Sequence, residues 1–265
     1  MGIEKTPSPQ LEYRYDGTFT GFLSLVFDVF DRKEQPSAIV RPGMQSLLFA
    51  NVYDVATSNE KSERVWNGIV KTGGSDTGEH LYYAFLSHDE GAEMAMLHYC
   101  QHLFASKRPV KTDLSHPDVL AVHQLFRKVD REAHRVLMFL RFEQAADGTY
   151  FAPYAPKYDV IPMTVAHFKS RFADQNWLIY DTLRQYGIYY NAAEGKADRI
   201  TIDNAAFNPT SGQLLNSAAH PSDDNWQALW QAYFKSTAIA ERKNLLLQKN
   251  HMPKRFWKYL TEKRI

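Results

Sequence analysis

The sequence predicts an α+β fold with a helical N-terminal part, a mostly antiparallel sheet in the second half, and a long C-terminal helix with a basic tail. Three observations carry that prediction. Apolar residues recur at helical spacing through most of the chain as far as Val136. Strand-like runs separated by polar, glycine-containing turns follow, and helical spacing returns after Asp223-Asp224-Asn225.

In order, residues 1–10, with Thr6-Pro7-Ser8-Pro9, read as a loose leader. Tyr13 to Phe19 is a short extended piece containing an Asp16-Gly17 turn. Phe22, Leu25, Val26, Val29 and Phe30 then share one face of an amphipathic helix. Val52 to Thr57 suits a strand, and Ser58 is placed to cap a helix carrying Val65 and Ile69, which Gly73-Gly74 ends. Glu90 to Ala105, with Met94, Leu97 and Phe104, is a further helical stretch.

The central helix begins near Ser115, with Pro117 in its first turn, where a missing N–H costs nothing. Val119, Val122, Phe126, Val129, Ala133 and Val136 fall on one side. Arg127, Lys128, Arg131 and Arg135 cluster nearly opposite, so one helix offers an apolar face and a cationic face. Phe139 to Phe142 and Tyr150 to Ala155 read as a hairpin about Asp147-Gly148. Met163 to Phe172 reads as a helix, and Trp177 to Asp181, Ile188 to Asn191 and Arg199 to Asp203 as strands. The closing helix places Trp226, Trp230, Tyr233, Thr237, Ala240 and Leu247 on one face, with Asn244 on that side and Lys235, Arg242 and Lys249 opposite. The whole reads as one α+β domain over 1–265, divisible into a mainly helical lobe, 10–110, and an α+β lobe with the basic tail, 111–265.

At 265 residues with 44% hydrophobic content, the chain can bury a sizeable core. One cysteine, Cys100, excludes an internal disulfide and a self-contained iron–sulfur or Cys-rich zinc site, and it reads as a small buried apolar residue. The apolar run Phe22 to Phe30 is too short for a bilayer, which needs about 20 such residues, and no secretory leader is recognisable. A cytoplasmic protein with no membrane partner is therefore expected.

Charge is distributed unevenly. From Glu241 to Ile265 there are eight basic residues against Glu241 and Glu262, a local charge of about +6 on a chain whose net is +1. Phe256, Trp257 and Tyr259 interleave with Lys254, Arg255 and Lys258, a mixture suited to single-stranded nucleic acid, because bases stack on rings while cations meet phosphates. The same rings could instead dock the tail onto the domain.

Two further groups invite a site. In Val129 to Arg135, Glu132 lies one helical turn from Arg135, and an arginine fork can donate two parallel hydrogen bonds to phosphate. Glu132 and His134 could serve as acid and base, but on a helix they diverge by about 200°. His167, Arg171, Trp177, Asp181 and Arg184 form the second group, as an ion-pair network or a pocket. With Arg141, a candidate pocket comprises Glu132, His134, Arg141, His167, Arg171, Asp181 and Arg184. His98 and His102 have metal-ligand spacing but no evident third ligand, so no metal is assigned. Gly73-Gly74-Ser75-Asp76-Thr77-Gly78 lacks the lysine and spacing of a phosphate loop and reads as a turn.

These residues resemble a bacterial family described as probable DNA metabolism proteins. The matching stretches are Tyr15-Asp16-Gly17 with Gly21-Phe22-Leu23, Val129 through Arg135 with Phe139, Arg141 and Phe142, and His167-Phe168 with Arg171. The match continues through Gln175 with Trp177 to Asp181, Arg184 with Gly187, Arg242 with Asn244, and His251 to Trp257. The resemblance implies association with a radical SAM protein that modifies or repairs DNA, and in some relatives fusion to a uracil-DNA-glycosylase-like domain, of which this chain reads as the stand-alone form. It supplies no catalytic residues, and cluster chemistry would belong to the partner, so no cofactor is assigned to this chain.

The leading expectation is a DNA-binding or DNA-processing accessory protein acting on single-stranded or damaged DNA with a radical SAM partner. Arg127, Arg131 and Arg135 would line a phosphate track, Lys254 and Arg255 would extend it, and Trp257 would stack on a base. An enzyme acting on a nucleobase, nucleotide or nucleic-acid backbone through the candidate pocket is the alternative, and a protein-interaction scaffold is a third.

Overall fold

The computed structural model of the chain describes residues 10–202, 229, 231–232 and 251–263. The chain divides into two compact units, 1–130 and 131–265.

In the first unit, β1 (Leu11–Arg14) lies between β2 (Ala38–Val40) and β3 (Asn51–Asp54) in a three-stranded parallel sheet. Parallel neighbours need a crossover, and α1 (Phe19–Arg32) supplies it between β1 and β2. Thr18 caps α1, its hydroxyl oxygen accepting the Gly21 amide at 2.9 Å, while Asp16 accepts the Thr18 amide at 2.9 Å. Phe22, Leu25, Val26 and Val29 are buried as their spacing predicts. Phe30, assigned to the same face, is exposed and meets Phe104 edge-on at 5.4 Å.

Ser58 caps α2 (Asn59–Gly73), which is followed by α3 (Ser75–Leu86) and α4 (Ala92–Ser106). Gly73-Gly74 does end α2, but Ser75 to Gly78, expected as part of a turn, forms the first turn of α3. Gly74, at φ +87°, makes the break, and Gly78 is required by a close approach, since a Cβ there would lie 2.6 Å from the Trp66 ring. α5 (Pro117–Phe139) begins at the proline, and the boundary between the units falls within it. Val119, Val122, Val129, Ala133 and Val136 are buried, and Arg127, Lys128 and Arg131 are exposed.

In the second unit, β4 (Glu143–Gln144) and β5 (Tyr150–Tyr154) form the hairpin about Asp147-Gly148. Phe139 belongs to α5, so the first arm is shorter than the expected Phe139 to Phe142 and starts later. α6 (Ile161–Arg171) returns the chain so that β6 (Trp177–Asp181) pairs parallel with β5. β7 (Tyr186–Asn191) and β8 (Lys196–Ile200) then add antiparallel. The five-stranded sheet, in order β4-β5-β6-β7-β8, is thus mixed, because a helical crossover rather than a tight turn joins β5 to β6.

The closing helix expected after Asp223, with Asn244 and the Lys235, Arg242 and Lys249 stripe, lies outside the described residues. Residues 254–259 and 261–263 form two 3-10 turns. Among the described residues, no helix is long and apolar enough to cross a membrane.

Candidate functional site

Glu132 sits on the last two turns of α5 with a side chain only 1% exposed, and its position on the apolar side of the helix explains why. A buried carboxylate must be paired. One oxygen accepts the backbone N–H of Lys157 at 2.8 Å, and the other receives Arg135 at 3.2 Å and Arg255 at 2.6 Å. Two guanidinium groups from segments more than a hundred residues apart therefore meet on one oxygen. Their side chains stay 31% and 42% exposed, so the pair faces water while its anchor does not.

The tail that delivers Arg255 is held from several directions. Phe256 is buried, stacked on Tyr154 with ring centroids 5.0 Å apart, and Tyr259 is buried beside it. The Tyr259 and Thr182 hydroxyls share a 3.1 Å hydrogen bond. Arg141 donates to Glu262 at 2.9 Å and to the carbonyls of Met138 and Leu140, tying the tail to the end of α5. The Tyr154 hydroxyl is pushed well above its usual range by burial and then by the Glu132 charge, so it remains a neutral donor directed at the Arg135 carbonyl.

A second carboxylate orders the segment that supplies the Lys157 amide. Asp181, buried at the end of β6, accepts the amides of Leu183 and Arg184 at 2.8 and 3.0 Å and the Arg184 guanidinium at 2.9 Å. Arg184 in turn donates to the carbonyls of Pro156 at 3.1 Å and Lys157 at 2.8 Å. Asp181 thus fixes Arg184, Arg184 fixes the 156–157 segment, and that segment presents the N–H that Glu132 accepts.

Of the residues singled out from the sequence, Glu132, Arg135 and Arg255 come together directly, and Asp181 and Arg184 join them through Lys157. Arg141 acts one step away, through Glu262. Arg131 and Lys254 are exposed beside Arg135 and Arg255 in the chain. Trp257 is half-buried, donating Nε1–H to the Met252 carbonyl at 3.0 Å, with the Lys263 ammonium 5.2 Å above its ring. Arg127 lies in the first unit, exposed. His134, His167 and Arg171 are exposed, and among the described residues no hydrogen bond joins them to the network.

Two participants, Lys157 and Glu262, carried no sequence signal as site residues. Lys157 contributes a backbone amide, which any residue but proline provides, and the Arg141–Glu262 pair spans 121 residues, beyond any local spacing rule. In the first unit, His98 and His102 point to different carboxylates, Asp118 and Asp113, each at 3.3 Å. No group of three or more potential ligands with metal geometry occurs among the described residues. Cys100 between them is fully buried, its thiol pushed up to about 12 by burial, and so stays protonated and unreactive.

Chemically, the Glu132 arrangement offers guanidinium N–H donors to an anion. Each guanidinium uses one nitrogen on the carboxylate, and the remaining N–H groups have no partner among the described residues. One negative charge cannot balance two cations, so a positive charge is left at the surface.

No curated protein matches the chain. A solved structure described as a pGpG-specific phosphodiesterase, PggH from Vibrio cholerae, is 11% identical, with 87% of this chain and 100% of that chain covered; its TM-score of 0.29 is too low to carry an argument. A family model described as a domain of unknown function, DUF4130, matches residues 90–262, which takes in both buried carboxylates and every residue of the network around them. The chain belongs to the DUF4130 family.

Proposed function

We propose that this protein binds nucleic acid through the Arg135–Glu132–Arg255 site and acts as a DNA-binding or DNA-processing accessory factor. The observation that supports the reading is the meeting of two partly exposed guanidinium groups on one buried carboxylate. A guanidinium held from behind by a carboxylate loses less freedom when it grips a phosphate, so the anchor raises affinity without touching the ligand. Arg131 and Lys254 flank the pair, which concentrates positive potential where the chain as a whole is nearly neutral. The choice of DNA, and of a radical SAM enzyme as the partner it serves, rests on the family likeness.

Phe256 and Tyr259 are anchors of the tail in this reading, because both are buried. Trp257, only half-buried, is the ring of the three left to meet a base. The test is titration of a labelled single strand at about 50 and about 200 mM salt. A site contacting two or three phosphates loses roughly 5- to 20-fold in affinity between those conditions. Arg255→Ala is expected to weaken binding about tenfold, the scale of one charge-assisted hydrogen bond. Absence of binding at the lower salt, by protein that melts cooperatively, would remove the proposal.

A further inference from the structure

The geometry points to a more specific ligand for the same site: a nucleotide phosphomonoester, the terminal phosphate of a strand or of a free nucleotide, rather than the diester of a strand interior. This inference rests on the phosphate-binding reading above. Both guanidinium groups reach the same Glu132 oxygen, at 3.2 and 2.6 Å, which holds the two forks close enough together for a single group to bridge them. A diester offers one negative charge and two terminal oxygens. A monoester offers about −1.5 to −2 and three oxygens, enough acceptors for two forks at once.

The local charge agrees. Glu132 neutralises one of its two arginines, and Arg131, one helical turn before Arg135, and Lys254, next to Arg255, are exposed cations with no carboxylate within 4.0 Å among the described residues. That surplus exceeds what a single diester would balance. The support behind the pair is rigid for the same purpose: the Lys157 amide holds the other Glu132 oxygen, and Arg184 holds Lys157 at 2.8 Å. A track following a flexible strand has no need of so fixed a point.

The experiment compares one labelled strand carrying a 5′-phosphate, a 3′-phosphate or hydroxyls at both ends, with a deoxynucleoside monophosphate and its nucleoside as competitors. A phosphorylated end is expected to bind at least about tenfold tighter than the hydroxyl-ended strand. The preference should shrink on acidification through about pH 6, where a monoester loses its second charge and a diester does not change. Arg135→Lys and Arg255→Lys, which keep the charge and lose the fork, should bring the phosphorylated and hydroxyl-ended strands to within about twofold. Competition by the mononucleotide at the affinity of the strand end assigns the ligand to free nucleotides, and weaker competition assigns it to strand ends. Equal affinity for all three strands overturns the monoester inference and leaves nucleic-acid binding standing, whereas no binding of any strand or nucleotide removes both. The acid dependence is read on the unaltered protein, so a variant that fails to fold does not decide the outcome.

Discussion

Glu132 carries more of this site than any residue that could touch a ligand. Its carboxylate is buried, yet it serves two arginines and a backbone amide, so replacing it leaves three donors without their acceptor. The guanidinium groups are partly exposed and can turn to water, but the amide is held in place by Arg184. Glu132→Ala should therefore lower stability by about 1.5–3 kcal/mol in denaturant unfolding, the range for hydrogen bonds to a charged group. A change below about 0.5 kcal/mol would mean that the carboxylate is incidental. At this scale the sequence was partly legible. The three-residue spacing of Glu132 and Arg135 exposed their pairing, because it is a property of the helix alone. The arrival of Arg255 was not legible, because it depends on Phe256 and Tyr259 finding Tyr154 across a hundred residues.

Elements were legible where their signals are local. Ser58 as a cap, Pro117 as a first helical residue and the Asp147-Gly148 turn all rest on chemistry within a few residues. β2 was missed because its three residues are too few to show alternation, and its pairing with β1 is made through α1. α3 was missed because Gly78 has turn-like chemistry in sequence, whereas in the fold it makes room for Trp66. The parallel β5–β6 pair, too, follows from the α6 crossover rather than from either strand's composition. In the first unit, β1 shows how a short strand can fix a loop: Glu12, fully buried, accepts the Leu47 amide at 2.6 Å and Arg14 at 2.7 Å. Burial pushes its carboxyl up, but the Leu47 amide, Arg14 and Ser46 together outweigh burial and hold it below its ordinary 4.5. A depressed carboxyl contributes stability above its ordinary value and loses it as the pH falls through the folded value. Glu12→Gln should accordingly lower the melting temperature at pH about 7, with the gap to the unaltered protein closing toward pH about 3. A gap independent of pH would contradict the assignment.

Over the whole molecule, the surplus of positive charge in the tail and the Glu132 network fall in the same unit of the chain. A chain of net charge +1 places about six surplus cations in its last 25 residues, and the described part of that tail joins α5 at a buried carboxylate that takes two arginines. The residues of this network, from α5 to Glu262, all lie within the stretch that the family model matches. The central claim is that Arg135 and Arg255 together form the phosphate-binding point. It is tested most directly by titrating a 5′-phosphorylated single strand into the unaltered protein and into the Arg135→Ala/Arg255→Ala double variant, with cooperative melting of both confirmed first. The account predicts a loss of at least about a hundredfold in affinity and a flatter salt dependence, since the phosphate held by the two arginines is no longer neutralised; an unchanged affinity and slope in the double variant would contradict it.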